Sequence, residues 1–363
     1  MDIDPRLFQE NERLTPSAAE RQLVSVGSLN CSAGGYLHDI QVAYQTWGQL
    51  NNDASNAVLI CHALSGDSNA AGWWDQVVGP GKAIDTNVYF VIGTNALGGC
   101  QGTTGPSSLH PDGNPYGSRF PIITVQDMMV VQNRLIQSLG ISQLMLIAGG
   151  SMGGMQALSY AKQFPGQVRH VWVTASCARH SAMQIAFNEA GRQAIMRDPR
   201  WNGGNYDPND QPSDGLAVAR MVGHISYLSE ASFEKKFSRS LQDKEKFSYH
   251  HGVEFQVESY LNYQGDKFTS RFDANSFLVL TKAIDYFDLE GFQGCDASFL
   301  FTSFDSDWLY PTHQSQQMLA DALAAGCNAE HHEISLPYGH DAFLLDGVHQ
   351  GAILKSWLDK TEP

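Results

Sequence analysis

Positive charge is scarce in this sequence. Its 23 Lys and Arg residues face 38 Asp and Glu, for a formal net charge of −15. That balance gives no general attraction to phosphate backbones or anionic lipid, and nucleic-acid or membrane-surface binding would need a local basic patch. The longest basic run is the pair Lys235-Lys236, so neither partner is expected. Charge of either sign is also low, 17% of residues against about 25% in ordinary soluble domains. Since 42% of residues are hydrophobic and 10% aromatic, intrinsic disorder is excluded. Cysteine pairs are missing as well. Cys31, Cys61, Cys100, Cys177, Cys295 and Cys327 are scattered, with no C-x-x-C spacing. This is neither a disulfide scaffold nor a zinc pattern, and no metal is expected. Isolated thiols fit a reducing cytosol. Long apolar runs are absent too. Stretches such as Ala57 to Cys61 fall far short of the roughly 18–20 residues a bilayer span needs. The opening MDIDPRLFQENERL is acidic and lacks the apolar stretch of a secretory signal. The expectation is a cytoplasmic protein.

What is present is an alternation of strand and helix patterns. Eight short runs read as strands: Leu23–Leu29, Ile40–Thr46, Ala57–His62, Val88–Gly93, Leu144–Ala148, His170–Thr174, Ser298–Ser303 and His331–Leu336. Most are continuously apolar, as in strands covered on both faces of a parallel sheet. Between Thr124 and Gly140 the pattern is helical. Asp127 three residues after Thr124 makes a capping box, and Met128, Val131, Leu135 and Leu139 form one face. The alternation predicts an α/β fold with a mostly parallel sheet. From Cys177 to about Leu289 no strand is legible, and five segments read as helices: Ala182–Met196, Gly215–Leu228, Ser232–Ser240, Val253–Tyr263 and Ala274–Phe287. The expected organisation is a core of residues 1–176 and 290–363 interrupted by a helical insertion, 177–289. A long segment without periodicity, Gly98–Pro121, follows a strand end. Loops of that length are usually functional or disordered. It reads as a wall of the substrate site, or otherwise as an ordered surface loop.

Gly149-Gly150-Ser151-Met152-Gly153 is a G-x-S-x-G motif between the apolar run LMLIA and the helical run MQALSYAKQF. Strand, sharp turn and helix are the context in which such a serine is a nucleophile. The glycines let strand and helix approach, and the helix N-terminus favours developing negative charge. A serine needs a base, and the expected chain order is Ser, then Asp or Glu, then His. Asp307 and His340 each lie just after a strand-like run, at the same sheet edge as Ser151. Asp305 competes with Asp307 for the acid role. The doublets His250-His251 and His331-His332 read as surface or structural. An oxyanion needs two N–H donors. Met152 N–H is one, and Leu64 N–H, in the His62–Gly66 loop after a strand, is the candidate for the other.

The segments CHALSGD, GWWD, GPGKAIDT, GTNALGGCQGTTGPSSL, PYGSRFP, AGGSMGGMQAL, RMVGHISYLS, SYLNYQGDKFTSRFDANS, DWLYP and YGHDAFL resemble the homoserine O-acetyltransferase family, from about residue 20 to the C-terminus. The resemblance implies an α/β-hydrolase fold with an eight-stranded, mostly parallel sheet and a helical lid, and a role in methionine biosynthesis. It implies acetyl transfer from acetyl-CoA to L-homoserine through Ser151, with Asp307 and His340 completing a triad and no permanently bound cofactor. It also implies substrate contacts from Arg220, Tyr227 and Asp341, and a homodimer built through the lid. Arg220 suits a carboxylate and Asp341 an ammonium. Homoserine or serine O-succinyl transfer on the same scaffold remains an alternative, and a serine esterase is a more distant one. Succinyl selection would need a cation near the acyl end, for which Arg119 or Arg192 is a candidate. Arg119 and Lys82 are also candidates for contacts with CoA at the mouth of the site.

Overall fold

The computed structural model describes residues 20–361. The acidic opening segment lies outside them, apart from its resemblance-bearing continuation. Eight strands form one sheet: β1 (Gln22–Ser25), β2 (Gln41–Trp47), β3 (Ala57–Cys61), β4 (Phe90–Thr94), β5 (Leu144–Gly150), β6 (Val168–Thr174), β7 (Ser298–Phe304) and β8 (Ala329–Ile334). Their order is β1-β2-β4-β3-β5-β6-β7-β8. The pairings β1–β2 and β2–β4 are antiparallel, and every other pairing is parallel. Strands β3 and β5 are buried at every residue. Alternate side chains therefore feed two cores. Leu59, Ile147, Val171 and Phe301 enter one, whereas Val58, Leu146, Trp172 and Leu300 enter the other with Trp74 and Trp357. The predicted strand Leu23–Leu29 is shorter than read. Gly27 takes a left-handed φ of 77°, which ends the ladder after Ser25.

The helices that flank the sheet begin as their sequences predict. Helix α1 (Val125–Ser138) opens on a complete capping box. Asp127 N–H donates to Thr124 Oγ1 at 3.1 Å, and Thr124 N–H donates to Asp127 Oδ2 at 2.9 Å. Helix α2 (Met152–Gln163) follows β5 directly. Between β6 and β7 the described residues contribute no strand to the sheet. They form α3 (Ala182–Arg197), α4 (Ser213–Tyr227), α5 (Glu230–Lys236), α6 (Gln256–Thr269) and α7 (Ala274–Tyr286). Helix α4 packs on both α3 and α6. Its C-terminal end and α5 after it are tied to the loops at the carboxyl ends of β7 and β8. Trp308 Nε1 donates to Leu228 O at 3.0 Å, and Ser232 Oγ donates to Pro337 O at 2.7 Å. Helices α8 (Thr312–Ala324) and α9 (Val348–Thr361) complete the layers. No described helix is long and apolar enough to cross a membrane.

Candidate active site

Ser151 sits between β5 and α2 with φ 56° and ψ −125°, a backbone conformation that L-residues avoid. The surroundings enforce it. Ser151 N–H donates to Thr174 O and Ala175 O at 3.1 and 3.2 Å, and Ser176 Oγ donates to Ser151 O at 2.7 Å. A Cβ on Gly153 would lie 2.1 Å from Cys61 O, so β3 and α2 close on each other only across a glycine. Met152 is the first residue of α2, and its amide belongs to the helix's unpaired first turn.

His340 lies in the loop after β8, 3% exposed, and Asp307 in the loop after β7, 2% exposed. His340 Nδ1 is 2.8 Å from Asp307 Oδ2. The other Asp307 oxygen accepts from the amides of Leu309 and Tyr310 at 3.0 and 2.9 Å, which fixes the carboxylate. Asp305, the competing acid, is turned away. It accepts from Ser335 Oγ at 2.5 Å and from Leu336 N–H at 3.1 Å. The fold therefore brings Asp307, not Asp305, to His340. Among the described residues no hydrogen bond joins Ser151 to His340. Such contacts are often loose without substrate. Ser151 instead lines a cavity together with Tyr310, whose phenol burial holds well above its ordinary pKa.

Two adjoining cavities share Leu64, Ser65, Ser151, Arg220 and Tyr227 on their walls, and the larger has a volume of about 460 Å3. His340 and Asp341 also line the larger one. Six of the eight residues singled out from the sequence thus line one space, Asp307 stands behind His340, and Met152 opens the helix beneath it. Arg220, on α4, is 7% exposed. Its guanidinium lies 4.8 Å from the Phe268 ring centroid and 5.9 Å from that of Tyr227, and Nη1 is 3.4 Å from Ser65 Oγ. Burial raises the Tyr227 phenol pKa; Arg220 opposes this and Asp341 adds to it, so both charges sit close to the ring.

Sequence reasoning missed part of this wall. His224, Gln264, Lys267 and Arg271 line the larger cavity from α4, α6 and the turn after α6. His224 Nδ1 is 3.2 Å from Tyr260 Oη. Burial, with the Arg220 and Arg271 charges, pulls its pKa down to about 2, so it stays neutral. His224 Nε2 and Gln264 Oε1 are buried without a protein hydrogen-bond partner. The motif SYLNYQGDKFTSRFDANS contains three of these four residues, but no spacing in it marks the ones that face inward.

Three expected cations lie elsewhere. Arg192 is buried at 2% exposure in ion pairs with Asp285 at 2.7 Å and Glu189 at 2.9 Å, which engage all three of its guanidinium nitrogens. Arg119 is paired with Asp112 at 2.5 Å on the surface. Neither these two nor Lys82 lines either cavity. The Gly98–Pro121 loop does not line them either. Its polar groups are turned to the sheet edge instead. Ala43 N–H donates to Thr103 Oγ1 and Gln41 N–H to Thr104 Oγ1, each at 2.9 Å, so the loop completes the ladder of β2. Its reach toward the cavity is indirect: Gln101 Nε2 donates to Arg271 O at 2.7 Å. His62 is also structural. Its Nδ1 is 2.6 Å from Ala63 O, and Ala96 N–H donates to Nε2 at 2.9 Å, clamping the ends of β3 and β4.

Comparison with known proteins places this geometry in a family. A family model for the alpha/beta hydrolase fold matches residues 56–347. A homoserine O-acetyltransferase of Methanosphaerula palustris is 51% identical over 346 residues, covering 91% of this chain and 71% of that protein. The crystal structure of homoserine O-acetyltransferase from Bacillus anthracis superposes with a TM-score of 0.89 at 29% identity, covering 94% of this chain and 97% of that one. The structure of esterase E22 is similar too, with a TM-score of 0.87 at 28% identity, over 93% and 99% of the two chains.

Proposed function

Because the chain belongs to the homoserine O-acetyltransferase family of the alpha/beta hydrolase fold, we propose that it moves an acetyl group from acetyl-CoA to the hydroxyl of L-homoserine. The observation that carries this reading is the Asp307–His340 pair at the strand ends, facing Ser151 at its strained turn under a helical roof that holds Arg220. Ser151 Oγ attacks the thioester carbonyl while His340 Nε2 takes the serine proton. The amides of Met152 and Leu64 receive the oxyanion. His340 returns the proton to the departing CoA sulfur, leaving an acetyl ester on Ser151. The hydroxyl of homoserine then gives its proton to His340 and attacks that ester, and His340 reprotonates Ser151. Asp307 holds the imidazole tautomer throughout.

Arg220 takes the acceptor's carboxylate, Asp341 its ammonium, and Tyr227 packs against the guanidinium. Two fixed charges position the hydroxyl and turn a bimolecular attack into an oriented one. His224 and Gln264 offer polar atoms to the amide-bearing arm of CoA, which is a substrate here rather than a resident cofactor. The helical roof keeps water from the acyl-enzyme. It also builds a homodimer, a reading supported by exposed Met183, Ile185, Val218 and Ile225 on α3 and α4. The reaction belongs in the cytoplasm.

The test is CoA release from acetyl-CoA and from succinyl-CoA, each with homoserine, with serine and with no acceptor. Steady release only from acetyl-CoA with homoserine is expected. Equal release without an acceptor would make the protein an esterase, and preference for succinyl-CoA would reassign the donor.

A further inference from the structure

The His340 ring has a neighbour that the transfer mechanism leaves unused. Tyr310 follows Asp307 by three residues and is 4% exposed. Its ring stacks on His340, with centroids 4.8 Å apart and planes 23° from parallel. Its hydroxyl lies 2.8 Å from His180 Nε2. His180, just ahead of α3, reaches Asp285 Oδ1 through Nδ1 at 2.9 Å. Asp285, on α7, is held in turn by Arg192 at 2.7 Å and Asn188 at 2.7 Å. The side chains of His180, Asp285 and Arg192 are 1%, 6% and 2% exposed. Burial alone would raise the Asp285 carboxyl, but the bonds from His180, Asn188 and Arg192 outweigh it and hold the pKa below the usual carboxylate range.

We infer that Tyr310 sets the plane of the His340 base, and that His180, oriented by Asp285, is the positioning residue that holds Tyr310. An ionised carboxylate only accepts, so His180 Nδ1 carries its proton toward Asp285. Nε2 is then the acceptor in the neutral ring, and the Tyr310 proton points to it. The Tyr310 ring, stacked on the imidazole, fixes the plane of the base, and its own rotation is locked from the helical segment. Nothing in the G-x-S-x-G pattern or the Ser–Asp–His order requires this second line of support.

The inference rests on Ser151 being the nucleophile, so its test reads acylation of that serine with acetyl-CoA and with p-nitrophenyl acetate. Tyr310→Phe keeps the ring and removes only the hydroxyl. It is expected to slow acylation about tenfold with the substrate KM nearly unchanged. His180→Ala should cost a similar factor in the native background but less than about twofold on top of Tyr310→Phe, because its effect passes through that hydroxyl. His180→Gln, which retains a group able to reach Tyr310, should recover part of the loss. An unchanged or faster acylation in Tyr310→Phe would overturn the inference, as would factors that simply multiply in the double variant. Ser151→Ala separates the two readings. If it still acylates, the nucleophile assignment fails. If it is silent while Tyr310→Phe matches the native protein, only the positioning role fails.

Discussion

The floor and the roof of the cavity are built by different means. On the floor, Ser151, Asp307 and His340 stand on loops at the carboxyl ends of β5, β7 and β8, of which β5 and β7 are buried and β8 is half-buried. On the roof, Arg220, His224 and Gln264 stand on helices α4 and α6, and Arg271 on the turn that follows. The parallel ladder sets the spacing between strand ends, so the floor is held by backbone hydrogen bonds. The roof is held by side-chain packing between helices and by a few ties to the floor loops, such as Trp308 to Leu228. Chemistry common to many acyl transfers occupies the rigid part, and recognition of a particular acceptor occupies the part that can be rebuilt by changing helices.

If that division holds, a floor substitution should damage both half-reactions and a roof substitution only one. The largest effect is expected from Asp307→Asn. It keeps the geometry but presents the wrong tautomer to His340, and both acylation and transfer should fall on the order of 10^4-fold in single-turnover assays. Arg220→Gln comes next. Losing a charged clamp on the acceptor carboxylate should raise the homoserine KM roughly a hundredfold. Acylation by acetyl-CoA should change far less. Comparable damage to both steps would erase the distinction between floor and roof.

The smallest effect concerns stability. The folded-state pKa of His224 lies near 2, below its ordinary 6.5. Between those values the unfolded chain holds a proton that the folded chain does not, so stability falls as pH falls. At pH 5.5 this amounts to about 1 kcal/mol from His224. Buried His62, also shifted down, acts in the same direction. His224→Gln should therefore narrow the gap between the thermal midpoints at pH 7.5 and 5.5. A gap of unchanged size would mean that His224 protonates in the folded protein.

The same contrast explains what could be read before the structure. Ser151 announces itself through glycines whose positions are forced by contacts one turn away, and the Thr124 capping box is local by nature. Asp307 and His340 are legible because each closely follows a strand-like run in the expected Ser–Asp–His order. The choice between Asp307 and Asp305 depended on which way one loop turns, and only the bonds to Ser335 and Leu336 reveal that. Arg220 came from resemblance alone. His224, Gln264, Lys267 and Arg271 escaped notice because their inward direction is set by how α4 packs on α6, which no periodicity encodes. Arg192 misled for the converse reason: its partner Asp285 is distant in sequence and adjacent in space. The Gly98–Pro121 loop misled because length and composition cannot distinguish a wall of the site from a cover for the backbone of β2.

The central claim is that Ser151 carries the acetyl group between the two substrates. Mass spectrometry of the protein, quenched after mixing with acetyl-CoA alone, tests it most directly. The account predicts one acetyl group, on the peptide that contains Ser151, which disappears when homoserine is added and is absent in Ser151→Ala. Undiminished formation of acetylated homoserine by a protein whose Ser151 never carries the acetyl group would contradict it.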